Sequence, residues 1–251
     1  MEWYYILALI GTGLAAGFIN TTAGGGSMLT LPLLMFLGLP ANVANGTNRV
    51  AILLQNVIGV RTFHQKKVLN YSTDFRLAIP AIAGAIIGAL FAVEVNAELL
   101  KNIIAGLMVL MLLIVVIKPE VWIKEHAGAV DPKPTRWQYV IFFFIGLYGG
   151  FIQMGVGFFL LAGLVLGGGY NLVKANAVKV FIVLIYTIFT LGIFMFHGQV
   201  DWTAGLILAA GNMAGAWLGV HFSVKGGAKY VRYVLILALL IVILNLFGVF
   251  G

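Results

Sequence analysis

Gly17-Phe18-Ile19-Asn20-Thr21-Thr22-Ala23-Gly24-Gly25-Gly26-Ser27 breaks an otherwise apolar sequence with amides, hydroxyls and glycines. An altered copy returns as Gly150-Phe151-Ile152-Gln153-Met154-Gly155-Val156-Gly157. Each string follows a hydrophobic run and precedes a short apolar run and then a longer one. Irregular backbone at membrane depth persists only where protein buries it or where it lines a wet cavity. The two strings are therefore expected to form the floor of a binding site.

Composition sets the surroundings. The chain has 251 residues, of which 62% are hydrophobic and 9% charged. A soluble domain carries about 25% charge, so this is a polytopic membrane protein. The absence of cysteine excludes disulfides, thiolate metal sites and cysteine nucleophiles. The opening Met1-Glu2-Trp3-Tyr4-Tyr5 lacks the basic stretch of a cleavable signal peptide, so the first apolar run is expected to be retained. A net charge of +7 would suit nucleic acid in a soluble chain, but in a membrane chain the position of the charges decides. Arg61, Lys66, Lys67 and Arg76 form one basic cluster. Lys118, Lys124, Lys133 and Arg136 form a second, and Lys225, Lys229 and Arg232 a third. The positive-inside rule puts all three in the cytoplasm. Glu2, Glu94, Glu98 and Asp201, against Lys101 alone, mark the outer side, and both chain ends are expected there.

Hydropathy divides the chain into five apolar segments per half, at 3–20, 26–39, 42–60, 75–93 and 99–117, then 137–153, 156–168, 173–196, 202–222 and 230–250. No segment alternates like a strand, so the expected fold is all-α, a polytopic transmembrane helical bundle. The second segment of each half is shorter than the roughly 17 residues needed to span. It either crosses or returns from the middle as one arm of a V, and its length favours the V. The Pro- and Gly-containing stretch 119–136 reads as a cytoplasmic linker between a first repeat, 1–118, and a second, 137–251. Gly13-x-x-x-Gly17-Phe18-Ile19-Asn20 matches Gly146-x-x-x-Gly150-Phe151-Ile152-Gln153. Ala44-Asn45-Gly46-Thr47-Asn48 falls on Ala175-Asn176-Ala177-Val178-Lys179. The loop after the third segment is basic in the first half and lacks Lys and Arg in the second. The repeats are thus expected to be inverted, with short or broken helices at midplane, as in many secondary transporters.

No apolar segment contains Asp or Glu, which argues against a buried carboxylate relay. The four histidines have no metal-ligand spacing on one helix face, so neither a metal nor a cofactor is expected. Arg49 and Lys179 each lie about seven residues, or about 10 Å, into a third segment. An ionisable group at that depth is a functional candidate by default. The alternative is that each snorkels or bonds the carbonyls of a broken helix. Gly24, Gly25 and Gly26, with Ser27 as a candidate N-cap, would offer free N–H groups to an anion, and Gly155 and Gly157 would do the same from the other repeat. Asn20, Thr21, Asn45, Thr47, Asn48, Gln153, Asn176 and Tyr186 complete the candidate substrate-binding set. The spacings Gly13/Gly17, Gly84/Gly88 and Gly211/Gly215 read instead as close helix packing.

The Gly-Phe-Ile-amide strings, the glycine break, and Leu39-Pro40-Ala41 with Ala44-Asn45-Gly46-Thr47-Asn48 resemble the TauE/SafE sulfite exporter family. Gly169-Tyr170-Asn171 with Lys174-Ala175-Asn176-Ala177-Val178-Lys179-Val180-Phe181 resembles it in the second repeat. The resemblance implies a permease of the bacterial inner membrane for sulfite, sulfonates, sulfoacetate and similar small anions. The expected function is secondary transport of such an anion by alternating access, with a passive anion channel or a scaffold subunit as alternatives. No enzymatic activity and no nucleic-acid partner are expected, since Ser27 lacks a visible base.

Overall fold

The structure is a computed structural model that describes residues 2–69, 71–117 and 136–246. All but one residue of the expected linker, 119–136, lies outside the described residues. Helices follow one another without a strand among the described residues: α1 (Trp3–Thr22), α2 (Ser27–Phe36), α3 (Ala41–Gln65), α4 (Tyr71–Glu94), α5 (Ala97–Ile117), α6 (Arg136–Phe151), α7 (Val156–Ala162), α8 (Leu172–Phe196) and α9 (Trp202–Leu246). Four of these regions, Trp3–Thr22, Phe75–Glu94, Leu172–Phe196 and Trp202–Lys225, are long and apolar enough to cross a membrane. Leu7, Leu90, Phe91, Phe144, Phe196 and Leu206 point outward from the bundle. So large an apolar exterior needs lipid around it.

Helix boundaries follow local chemistry. The Asn171 side chain accepts a bond from the Lys174 N–H at 2.9 Å and starts α8. Asp201 does the same for the Ala204 N–H at 2.9 Å and starts α9. Glycine ends α1, where the N–H groups of Ala23 and Gly24 both turn back to the Ile19 carbonyl. Ser27 is the first residue of α2 and Gly26 occupies its cap position without a side-chain bond, so the expected Ser27 cap does not form. After α7 the chain widens into a π-helical turn over Gly163–Gly167 before the glycines at 167–169. One expected break is absent: α9 runs unbroken for 45 residues where the sequence suggested separate segments at 202–222 and 230–250. No proline interrupts it, and glycine in a helix interior costs only about 1 kcal/mol relative to alanine.

The halves interlock. The first helix of each half packs most extensively on the fourth segment of the other, α1 on α9 and α6 on α4, while α3 and α8 cross at the centre. Glycines allow the close approach. A Cβ on Gly17 would strike the Asn212 backbone, and one on Gly211 or Gly215 would strike the Ile10 or Leu14 carbonyl. Across the bundle Gly146 and Gly150 meet the carbonyls of Ala81 and Ala85, and Gly84 and Gly88 meet those of Phe143 and Leu147. Small residues let backbones touch where the lipid gives helices no hydrophobic reason to associate.

Candidate functional site

The helical path breaks inside the bundle, at residues 23–26 and again at 152–155. The two breaks meet. A Cβ on Gly24 would collide with the Gly157 backbone, and one on Gly157 with the Gly24 backbone. Gly24 has φ +95° and Gly155 φ +70°, both in the left-handed region that side chains avoid. The Phe158 ring lies against Gly25, and Gly26 presses on the Ala16 carbonyl and Asn20 Cβ. Gly24, Gly25 and Gly157 thus serve this contact between the two breaks.

Beside the contact lies a narrow hollow with room for about one water molecule, lined by Asn20, Ser27, Asn56, Gln153, Gly157 and Lys179. Ile52, Val156, Val180 and Val183 supply its apolar wall. Helix ends α1 and α6, helix starts α2 and α7, and the middles of α3 and α8 therefore converge on one place.

Lys179 is 2% exposed and donates from Nζ to the Asn20 carbonyl at 2.8 Å, the Thr21 carbonyl at 3.1 Å and Asn176 Oδ1 at 2.6 Å. The ammonium thus holds the last carbonyls of α1, which no intrahelical N–H can reach. Arg49 treats the end of α6 in the same way. It donates from one terminal nitrogen to the Gly150 carbonyl at 2.6 Å, and from the other to Thr190 Oγ1 at 3.0 Å and the Gly149 carbonyl at 3.4 Å. Its guanidinium carbon lies 4.5 Å from the centre of the Phe194 ring. Asn45 adds a bond to the Phe151 carbonyl at 2.8 Å. Both cations take up the sequence alternative of bonding a broken helix.

A helix C-terminus carries about half a negative charge, so each cation is only partly compensated. Among the described residues no buried side chain is a carboxylate. The middle of the bundle is left positive, and Lys179 brings that charge to the wall of the hollow. No group of three or more potential metal ligands occurs among the described residues.

Of the expected set, Asn20, Ser27, Gln153, Gly157 and Lys179 reach the hollow. The others stand behind it or elsewhere. Thr21 acts through its carbonyl, and Asn176 bears on Lys179. Asn48 Oδ1 accepts from Thr30 Oγ1 at 2.7 Å, and Thr47 Oγ1 accepts from the Asp201 N–H at 2.8 Å. The Tyr186 hydroxyl sits against Gly149. Gly24, Gly25, Gly26 and Gly155 shape the breaks; Arg49 and Asn45 hold α6. Asn56, whose Nδ2 has no partner, was missed. Its signal was the spacing Asn48-x-x-x-Ile52-x-x-x-Asn56, which puts it on the same face of α3 as Asn48. Gln55, one position away, accepts from Asn20 Nδ2 at 3.4 Å and Asn212 Nδ2 at 3.3 Å and donates to Asn56 Oδ1 at 3.3 Å. It ties the polar wall to α9.

Comparison with known proteins agrees with this architecture. Residues 9–246 match the family described as sulfite exporter TauE/SafE. The chain belongs to this family. It is 30% identical over 235 residues to a probable membrane transporter protein, ORF9, of a Sinorhizobium species, covering 93% of this chain and 89% of the relative. It is 28% identical over 223 residues to the probable membrane transporter protein YfcA of Escherichia coli, covering 88% and 82%. A probable membrane transporter protein of Haemophilus influenzae is 27% identical over 225 residues, covering 88% and 86%. No solved structure matches. The protein is a membrane transporter and not an enzyme.

Proposed function

We propose that this transporter is a secondary carrier of small organic or sulfur-containing anions, of the sulfite, sulfonate or sulfoacetate class. Two inverted repeats, 1–118 and 137–251, would work by alternating access in the bacterial inner membrane, with both chain ends outside. The observation that carries the reading is Lys179, a buried ammonium on the wall of a hollow with no buried carboxylate near it among the described residues. A small anion supplies the missing charge. Asn20, Asn56, Ser27 and Gln153 supply hydrogen bonds to orient it, and Arg49 adds positive potential from behind the end of α6. The interlocked packing of α1 on α9 and α6 on α4 supports a two-fold relation between the repeats. The tightness of the hollow, which holds little more than a water-sized guest, favours a closed carrier state over an open channel.

The test is flux into proteoliposomes of labelled sulfite, sulfoacetate and a simple carboxylate. Saturable uptake with counterflow is expected for at least one sulfur anion. Linear uptake without counterflow would replace the carrier by a channel, and no uptake of any of them would remove the substrate class. Reporter fusions at both chain ends test the orientation.

A further inference from the structure

We propose that Lys179 is a latch that the transported anion opens: the guest takes the ammonium away from the end of α1 and so frees the break at 20–26 to move. This rests on the transport reading above and gives one residue both the binding and the switching step.

The two buried cations differ in what they are free to do. Arg49 is flat, covered by the Phe194 ring, bonded through both terminal nitrogens, and outside the hollow. Lys179 is a point charge on a flexible stem, and it lines the hollow. Its partners are neutral oxygens: two carbonyls and one amide. A charged oxygen on a guest makes a bond roughly twice as strong as a neutral one, so an anion in the hollow competes for the ammonium.

Competition has a mechanical consequence. Once Nζ turns to the guest, the carbonyls of Asn20 and Thr21 lose a buried donor. An unsatisfied buried acceptor is costly, and the cheapest relief is for the end of α1 to move toward water. The backbone there is suited to moving, since the triple glycine follows within a few residues and Gly24 already holds φ +95°. A guest shifts a conformational equilibrium only by binding one state better than the other. Here the difference is built in, because the closed state must share its ammonium and the open state need not.

The absence of cysteine makes a clean reporter possible. Thr22 lies at the end of α1 and is 1% exposed. In the Thr22→Cys protein in proteoliposomes, labelling by a small methanethiosulfonate is expected to be slow without anion. With saturating sulfoacetate, a sulfonate that unlike sulfite attacks neither the thiosulfonate nor the mixed disulfide, it should rise about tenfold, the scale of one lost hydrogen bond. Adding Lys179→Gln should make labelling fast without anion and abolish the response. Adding Lys179→Arg, which keeps the charge, should retain the response at a raised KM, and it serves if the glutamine variant fails to fold. His197→Cys, at the far end of α8, should label equally with and without anion. Flux with unchanged or slower Thr22→Cys labelling would overturn the latch and leave transport standing. Slow labelling in a folded Lys179→Gln variant would overturn it as well. Absence of flux for every anion would overturn the transport reading itself.

Discussion

The two helix ends at the centre of the bundle are built alike and finished differently. At the end of α6, a guanidinium bonded through both terminal nitrogens, an aromatic ring, a threonine and Asn45 gather, and neither Arg49 nor Asn45 lines the hollow. At the end of α1, an ammonium and Asn176 hold the same kind of carbonyls but leave one side open to a hollow. The comparison teaches that burying a cation against a helix end is first a structural device. It becomes a binding device only where a cavity reaches the charge. The breaks differ in parallel: three consecutive glycines precede α2, whereas Gly155 alone precedes α7 and Gly157 lies in its first turn.

The comparison breaks most readily at the contact both breaks share. Gly24→Ala should cost about 2–5 kcal/mol from overpacking and left-handed backbone strain, and Gly157→Ala nearly as much. Loss of folded protein on size-exclusion in detergent is the readout; normal melting of both would mean the breaks do not touch. Arg49→Ala comes next. It strands the Gly149 and Gly150 carbonyls and Thr190, and a loss of about 2–4 kcal/mol is expected, read as a lowered Tm with or without ligand. If Arg49→Ala instead raised only the KM for the anion, the contrast with Lys179 would collapse. Asn45→Ala should cost about 0.6–2 kcal/mol, the worth of one interhelical bond in a membrane. Its Tm should fall while the KM stays within about twofold of the parent, since Asn45 does not reach the hollow. Smallest is Gly11→Ala, where a Cβ meets nothing within 4 Å. It should raise stability by about 0.5–1 kcal/mol, and a fall in Tm would mean that this face of α1 is packed against something.

Much of this was legible in the sequence because membrane proteins obey few and strict rules. Hydropathy located the helices, glycine spacing marked the tight crossings, and an ionisable residue about 10 Å into an apolar run stood out on cost alone. The break expected near residue 225 failed for a local reason, since paired glycines without proline loosen a helix without ending it. Thr47 and Asn48 read as site residues in the sequence because polar side chains in an apolar segment look alike on paper. Their partners, Thr30 for Asn48 and the Asp201 N–H for Thr47, are visible only in the structure. Asn56 escaped notice for the opposite reason, being one asparagine among several on α3.

By itself the sequence determined the solvent, the helical class, the absence of buried acids from its apolar segments, and the two residues whose charge had to be compensated. These follow from composition and from periodicity along one helix, which neighbours cannot change. The tertiary structure decided which oxygens compensate each cation and which cation meets a cavity. Those outcomes depend on how α1, α3, α6 and α8 cross. The helix-end carbonyls that Arg49 and Lys179 bond lie a hundred residues or more away, beyond the reach of any local pattern.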